Sequence, residues 1–394
     1  MSLAVDDVLI ESLISIAEGS DADSAAKIAE LGAERTAEAV LSEVASRARL
    51  LTEPTDKVPV QFDLGFAGDR FGYVLTVGAG VCEVEKNWQA DTPVIVRQDL
   101  VEFLRDVYGP AGPHDATREV AIPHPPTSPS FDPEDPLNKL RSYAVVAAHQ
   151  VVGALTRRPT DLGELAVRFD SDKWGDHWYT RNYERYFEPF RTRRVKILEL
   201  GIGGYFLPDQ GGASLKMWKH YFHRGLVYGL DIYDKTGLAE PRIKTIQGNQ
   251  GDVAFLDSLG STDGPFDIVV DDGSHHSSDV LASFTALFPH VRPGGLYVIE
   301  DLCTSYWPGW GGSSDDLGDP QTSMGFLKTL LDGLNHQEQV RAGEYEPSAL
   351  ERTVTGVHLH HNMAIIEKGL NTEAGAPSWI SRTEDPMGWI NKQQ

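Results

Sequence analysis

Cysteine is nearly absent from this chain of 394 residues: Cys82 and Cys303 stand far apart and in separate expected domains. Two such thiols exclude a disulfide framework and point to a reducing compartment, with the cytoplasm as the expected location. Positive charge is also scarce. Lys and Arg number 35 against 58 Asp and Glu, a net charge of −23, so neither nucleic acid nor an anionic membrane is an expected partner, because each requires a basic face. No stretch approaches the roughly 20 apolar residues of a membrane span. Residues 1–20 lack the basic start and continuous apolar run of a secretory leader. A soluble intracellular protein is the expectation. What is present in quantity is core-forming material: 41% of residues are hydrophobic and eight are tryptophan. That suffices for sizeable cores, and the length calls for two domains.

The first part, residues 1–108, reads as an α+β auxiliary domain. Apolar residues at helical spacing open it (Val8, Leu9, Leu13, Ile14; Ala26, Ile28, Leu31; Val40, Leu41, Val44). From Val58 the period falls to two, and VPVQFDLG, FGYVLTVG and VCEVEKNW form an expected antiparallel meander. VIVRQDLVEFLRDVYG then returns to helix, a strand feeding into it. Residues 109–136 carry eight prolines, too many for regular structure. With a helix at 137–156 they make 109–160 a linker and connecting helix.

Residues 161–394 alternate strands and helices. Strands are expected at 195–200, 226–231, 242–247, 266–271, 295–300, 354–359 and 361–367, with helices near 212–223, 252–259, 277–289 and 321–334. Such alternation gives an α/β fold with a parallel sheet covered on both faces. The last two strands abut too closely for a helix between them, so an antiparallel hairpin closes the sheet.

Four strand ends carry chemistry, and in an open parallel sheet ligands bind beyond the carboxyl ends of the strands. ILELGIGG puts Glu199, Gly201 and Gly203 at a turn where backbone can approach a ligand closely. It departs from a dinucleotide fingerprint, whose third glycine is here Phe206. Asp231 ends the next strand, where a carboxylate can accept ribose hydroxyls. VVDDGSHH follows with Asp272, His275 and His276, and IED with Glu300 and Asp301. Neighbouring strands lie about 4.8 Å apart, so carboxylates at adjacent strand ends converge on one point. Asp272, Glu300 and Asp301 offer the hard oxygen ligands that suit Mg²⁺. His275, or His276 beside it, can accept a proton near neutrality. Beyond the acidic pair, CTSYWPGWGGSSDDLGDP is an irregular stretch with three aromatics, Tyr306, Trp307 and Trp310, and reads as a lid suited to sugar faces.

ELGIGG followed by an acidic second strand end resembles the S-adenosylmethionine site of class I methyltransferases over roughly residues 160–370. That resemblance implies a Rossmann-like sheet and an adenine contact at Gln250. The acidic residues are similar to those of the catechol-type metal-dependent O-methyltransferases, although Glu-Asp stands here where that type has Asp-Asn, and His275 where it has a lysine base. FDSDKWGDHWYTRNYERYF (169–187) resembles a segment of the macrocin and mycinamicin sugar O-methyltransferases.

That last resemblance implies transfer of a methyl group from S-adenosylmethionine, with Mg²⁺, to a sugar hydroxyl of a macrolide antibiotic precursor, the 2″-hydroxyl of a 6-deoxyhexose. It further implies Tyr179 at the cofactor and a homo-oligomer, a tetramer favoured. Three rivals remain on the residues alone. One is a metal-independent methyltransferase using the histidine base. Another is an NAD-dependent oxidoreductase, against which the broken glycine pattern and the terminal hairpin argue. The third is a binding scaffold without turnover.

Overall fold

The computed structural model describes residues 7–110, 117–123, 132, 134–155, 161–341 and 344–377. Packing divides the chain into two compact units. The first is Met1–Arg194 with Lys216–Leu226 and Glu240–Lys244; the second is Val195–Leu215, Val227–Ala239 and Thr245–Gln394.

The first unit opens with three helices, α1 (Asp7–Ile16), α2 (Asp21–Leu31) and α3 (Ala33–Ala48). Ser20 caps α2 by accepting from the Asp23 amide, and Asp21 and Asp23 complement the positive end of the helix. Five strands follow: β1 (Val58–Phe66), β2 (Asp69–Gly78), β3 (Val81–Glu85), β4 (Val94–Asp99) and β5 (Glu119–Ala121), in the order β3-β2-β1-β4-β5. Val58, Val60, Phe62 and Leu64 alternate onto the buried face of β1. Ala67 and Gly68, both at positive φ, make the two-residue turn to β2. β4 pairs parallel with β1 and runs straight into α4 (Leu100–Tyr108), whose first amides, at Val101 and Glu102, are capped by the Asp99 carboxylate.

The proline-rich stretch is not wholly irregular. β5 lies inside it, in a proline-free interval, and pairs antiparallel with β4. Residues 111–116, 124–131, 133 and 156–160 of the expected linker lie outside the described residues.

The unit also holds α5 (Pro136–Leu155), α6 (Leu162–Phe169) and α7 (Thr180–Phe187). A cluster of rings keeps the 161–194 segment with this unit: Tyr183 and Phe187 meet Trp218 at 4.9 and 5.4 Å. Beneath it sits a buried charge cluster. Arg242 Nη2 reaches Glu43 Oε1 at 2.6 Å with both side chains fully buried. Arg242 Nη1 donates to the carbonyls of Lys219, Phe222 and Gly225. Burial alone would raise the Glu43 carboxyl, but the charges of Arg242, Arg47 and Lys219 outweigh it and hold the group well below the usual carboxylate range.

The second unit is built on a seven-stranded sheet. The sheet and its connections are β6 (Val195–Leu200), α8 (Ala213–Tyr221), β7 (Gly225–Asp231), β8 (Ile243–Gln247), α9 (Val253–Asp263), β9 (Phe266–Asp271), α10 (Ser277–Leu287), β10 (Val291–Ile299), α11 (Ser323–Leu334), α12 (Ala349–Thr353), β11 (Val354–His360) and β12 (Met363–Lys368). Of these, Lys216–Leu226, from α8 into β7, and Glu240–Lys244, at the start of β8, pack with the first unit. The order is β11-β12-β10-β9-β6-β7-β8. β9 pairs parallel with β6 and with β10, and every residue of it is buried, the mark of a central strand. The expected hairpin is there: β11 and β12 are antiparallel, and β12 lies antiparallel on β10. β6, β9 and β10 run parallel, so the loops after them share one end of the sheet, and the Asp231 carboxylate at the end of β7 bonds to the Ile202 amide there. Among the described residues no helix is long and apolar enough to cross a membrane.

Candidate active site

The loop after β6 is narrow because of its glycines. Gly201 has φ +91° and the carbonyl of Asp272 so close that a Cβ would lie 2.1 Å from its oxygen. Gly203 and Gly204 also take positive φ, and the loop returns to Gly212, whose amide donates to the Ile202 carbonyl at 2.7 Å. Buried Lys235 ties down the outer part, donating through Nζ to the carbonyls of Leu207 and Gln210. Glu199, fully buried at the end of β6, accepts from Ser214 Oγ at 2.7 Å. Tyr205 and Phe206 stand 82% and 71% exposed on the loop.

Asp231 ends β7 and fastens two loops. Its Oδ2 accepts from the Ile202 amide at 3.0 Å and its Oδ1 from the Tyr233 amide at 2.9 Å. A carboxylate has about four acceptor positions, so these bonds fix its orientation and leave capacity for ligand hydroxyls.

After β9 the two aspartates divide. Asp271 is buried: burial raises its carboxyl to about 7, against the lowering effect of donors from Ser283, Gln250 and Tyr297. It is a knot joining β9, α10 and β10. Gln250 belongs to this knot. Its Nε2 donates to Asp271 Oδ1 at 2.5 Å and its Oε1 accepts from the Ser274 amide at 2.8 Å. The Gln250 side-chain amide, expected at adenine, is thus engaged by the protein on both sides.

Asp272 turns the other way. Its amide donates to the Leu200 carbonyl, which pins the start of the loop to β6. His275 follows in the left-handed region, φ +56°, an uncommon place for a histidine and typical of a side chain aimed by its surroundings. Its Nε2 lies 3.6 Å from Asp301 Oδ2. His276 instead precedes α10 and packs its ring 5.1 Å from that of Trp310.

Asp301, just past β10, is also left-handed, φ +52°. Asp272, His275 and Asp301 each offer one ligand atom, and all three atoms lie within 4.8 Å of one another. Glu300, also expected to hold the cation, is buried and outside that set of three, its amide bonded to the Asp271 carbonyl. Tyr179 belongs to the first unit, buried and stacked on His177 with ring centroids 4.7 Å apart.

Two features escaped the sequence. Asn362, in the turn between β11 and β12, donates through Nδ2 to Asp301 Oδ1 at 3.0 Å. Only its turn setting, an asparagine between two strands, could have drawn attention to it. The stretch after the acidic pair, expected as a lid, is closed on itself. It forms short 3₁₀ turns at Leu302–Tyr306 and Pro308–Trp310. Serines stitch them: the Ser313 amide donates to the Ser305 carbonyl, Ser314 Oγ to the Tyr306 carbonyl, and Ser305 Oγ accepts from the Met324 amide. Tyr306 and Trp307 are left exposed.

This arrangement presents hard oxygen donors, a histidine and a glycine turn at one end of a parallel sheet. It can hold a divalent cation beside a nucleoside and accept a proton. Known proteins resemble this chain over nearly its whole length. Residues 10–118 match the family model of the MycE methyltransferase N-terminal region, and 208–302 that of a methyltransferase domain. The demethylmacrocin O-methyltransferase of Streptomyces fradiae is 42% identical over 393 residues, 98% of each chain. The mycinamicin VI 2″-O-methyltransferase of Micromonospora griseorubida is 39% identical over 388 residues, 96% of this chain and 95% of that one. The structure of MycE methyltransferase with Mg, SAH and mycinamycin VI superposes with a TM-score of 0.86 at 36% identity, covering 99% of this chain and 100% of that one.

Proposed function

We propose, for a chain that belongs to the family of the macrocin and mycinamicin sugar O-methyltransferases, that its acceptor is the 2″-hydroxyl of a 6-deoxyhexose on a macrolide precursor. The enzyme class is an S-adenosylmethionine-dependent O-methyltransferase, with S-adenosylmethionine and Mg²⁺ as cofactors. The residues present fit both groups: Gly201 leaves no room for a Cβ at the turn, and the oxygens of Asp272 and Asp301 converge. That convergence is the observation that carries the reading.

When bound, S-adenosylmethionine supplies a sulfonium-activated methyl group and Mg²⁺ a positive charge that makes a nearby hydroxyl more acidic. Asp272, Glu300 and Asp301 would hold the cation through carboxylate oxygens. Glu199, Gly201, Gly203 and Asp231 would seat the nucleoside end of the cofactor, with Gln250 bracing the loop beside it. Tyr179 stays a cofactor-binding residue on the resemblance of its aromatic segment. His275 Nε2 takes the hydroxyl proton as the O–CH₃ bond forms and the S–CH₃ bond breaks. Fixing both reactants at one loop cluster supplies much of the remaining rate advantage.

The same convergence favours a second reading, in which His275 Nε2 is itself a cation ligand. Loss of Mg²⁺ affinity in His275→Ala would select it; loss of turnover with affinity kept selects the base. The acceptor is tested by incubating the protein with S-adenosylmethionine, Mg²⁺ and demethylated macrolide glycosides, then locating the new methyl by NMR. A methyl at 2″ supports the proposal; a methyl at another position, or on non-macrolide glycosides only, overturns it. The resemblance further supports a homotetramer, checked by light-scattering mass; the mass of a single chain would overturn that.

A further inference from the structure

We infer that Asn362 is a positioning residue for the cation site, holding Asp301 in its ligating orientation from the turn of the C-terminal hairpin. The inference rests on the reading of Asp301 as a metal ligand. Three bonds carry it. Asn362 Nδ2 donates to Asp301 Oδ1 at 3.0 Å, while the carboxylate's other oxygen, Oδ2, faces His275 at 3.6 Å. Asn362 Oδ1 accepts from the Cys303 amide at 2.6 Å. The Asn362 carbonyl accepts from the Leu302 amide at 3.3 Å. One residue thus grips 301, 302 and 303 in succession.

The geometry on both sides requires this grip. Asp301 sits at φ +52° and Asn362 at φ +65°, a region that asparagine and aspartate enter more readily than most residues but still at a cost. Asp301 leaves β10 in that conformation, and the Thr304 amide and hydroxyl close back on its carbonyl at 3.1 and 2.8 Å. These bonds fix the backbone of Asp301 but not the direction of its carboxylate. The Asn362 amide does that, by giving one oxygen a fixed donor and so directing the other toward Asp272 and His275. Outer-shell hydrogen bonds to ligating carboxylates have this effect generally, and their removal weakens metal binding about 10–100-fold.

The test is Asn362→Gly, which deletes the amide yet suits the left-handed turn better than any other residue. Mn²⁺ binding is measured by electron paramagnetic resonance on the intact protein, alongside S-adenosylmethionine affinity and the melting temperature of the metal-free form. We expect Mn²⁺ affinity to fall about tenfold or more, with cofactor affinity unchanged and metal-free melting lowered only by the loss of two hydrogen bonds. Asp301→Ala is the control. If it weakens Mn²⁺ binding and Asn362→Gly does not, the positioning role is overturned while the metal reading stands. If Asp301→Ala leaves Mn²⁺ binding intact, the metal reading fails and takes this inference with it. On the unaltered protein, Mn²⁺ should slow hydrogen exchange at the Leu302 and Cys303 amides, which Asn362 holds; unchanged exchange would overturn the brace without any variant.

Discussion

Carboxylates gather in two regions of this molecule, and they are treated in opposite ways. In the first unit, Glu43 is fully buried and met by its own chain's cations, with Arg242 bidentate to it and Arg47 bonded through Nε. In the second unit, Asp272 and Asp301 reach the surface of the sheet's carboxyl end and converge on each other and on a histidine. An acid answered by guanidinium is a structural fastener. Acids that answer acids are repulsive until a cation joins them, and that is the physical signature of a binding site. The net charge of −23 hides this difference, because only location separates the two kinds.

The contrast breaks most sharply at the binding end. Asp272→Ala should lower turnover by about 10³-fold or more, the several kcal/mol a cation supplies to a developing charge. Its thermal unfolding should stay close to that of the parent, and a matching drop in melting temperature would show the residue to be a fastener instead. Glu43→Ala inverts the pattern. Removing one partner of a buried pair strands the other charge and lowers unfolding free energy by about 3–5 kcal/mol, read by urea titration. Its sign with pH is fixed. Glu43 is held below its ordinary value in the folded state, so its contribution is fully present above the unfolded carboxylate value of about 4.3. It disappears as pH falls through the lower folded value. The parent and variant stability curves should therefore converge in acid, and a constant offset would refute the assignment.

Smaller effects sharpen the comparison within the site. His275→Ala should reduce turnover by about 10²-fold with S-adenosylmethionine binding retained; unaltered turnover would move the proton to His276 or to solvent. Asp231→Ala should weaken S-adenosylmethionine binding about tenfold or more, the scale of one hydrogen bond to a charged group. Normal affinity measured by calorimetry would show that the ribose lies elsewhere.

The sheet was largely legible because its strands are short, mostly apolar runs such as FDIVV, rich in β-branched residues and bounded by turn residues, which favour strand over helix. The strand-end acids were legible for the same reason: once the strand is placed, its last residue is placed. What the sequence concealed depends on long-range contact. Glu43 and Arg242 pair across 199 residues, and Asn362 reaches Asp301 across 61. No local pattern encodes either. Asp271 and Asp272 are neighbours of identical type, yet one is a buried knot and the other faces the site, a division set by the pleat and by what α10 and β10 place behind it. The edge strand at Glu119–Ala121 was hidden by the prolines around it, and nothing local to Gln250 announced that its side-chain amide turns inward to Asp271.

The contact between Gly201 and the Asp272 carbonyl makes two loops mechanically one. No side chain separates them, so a displacement of either backbone is transmitted to the other across a single van der Waals surface. On the proposed assignment of these loops to cofactor and cation, binding at one should affect binding at the other, and any such linkage is mutual: whatever factor the first ligand imposes on the second, the second returns to the first. Titrating each in the presence and absence of the other would give that common factor directly, and it measures the stiffness of one glycine's junction.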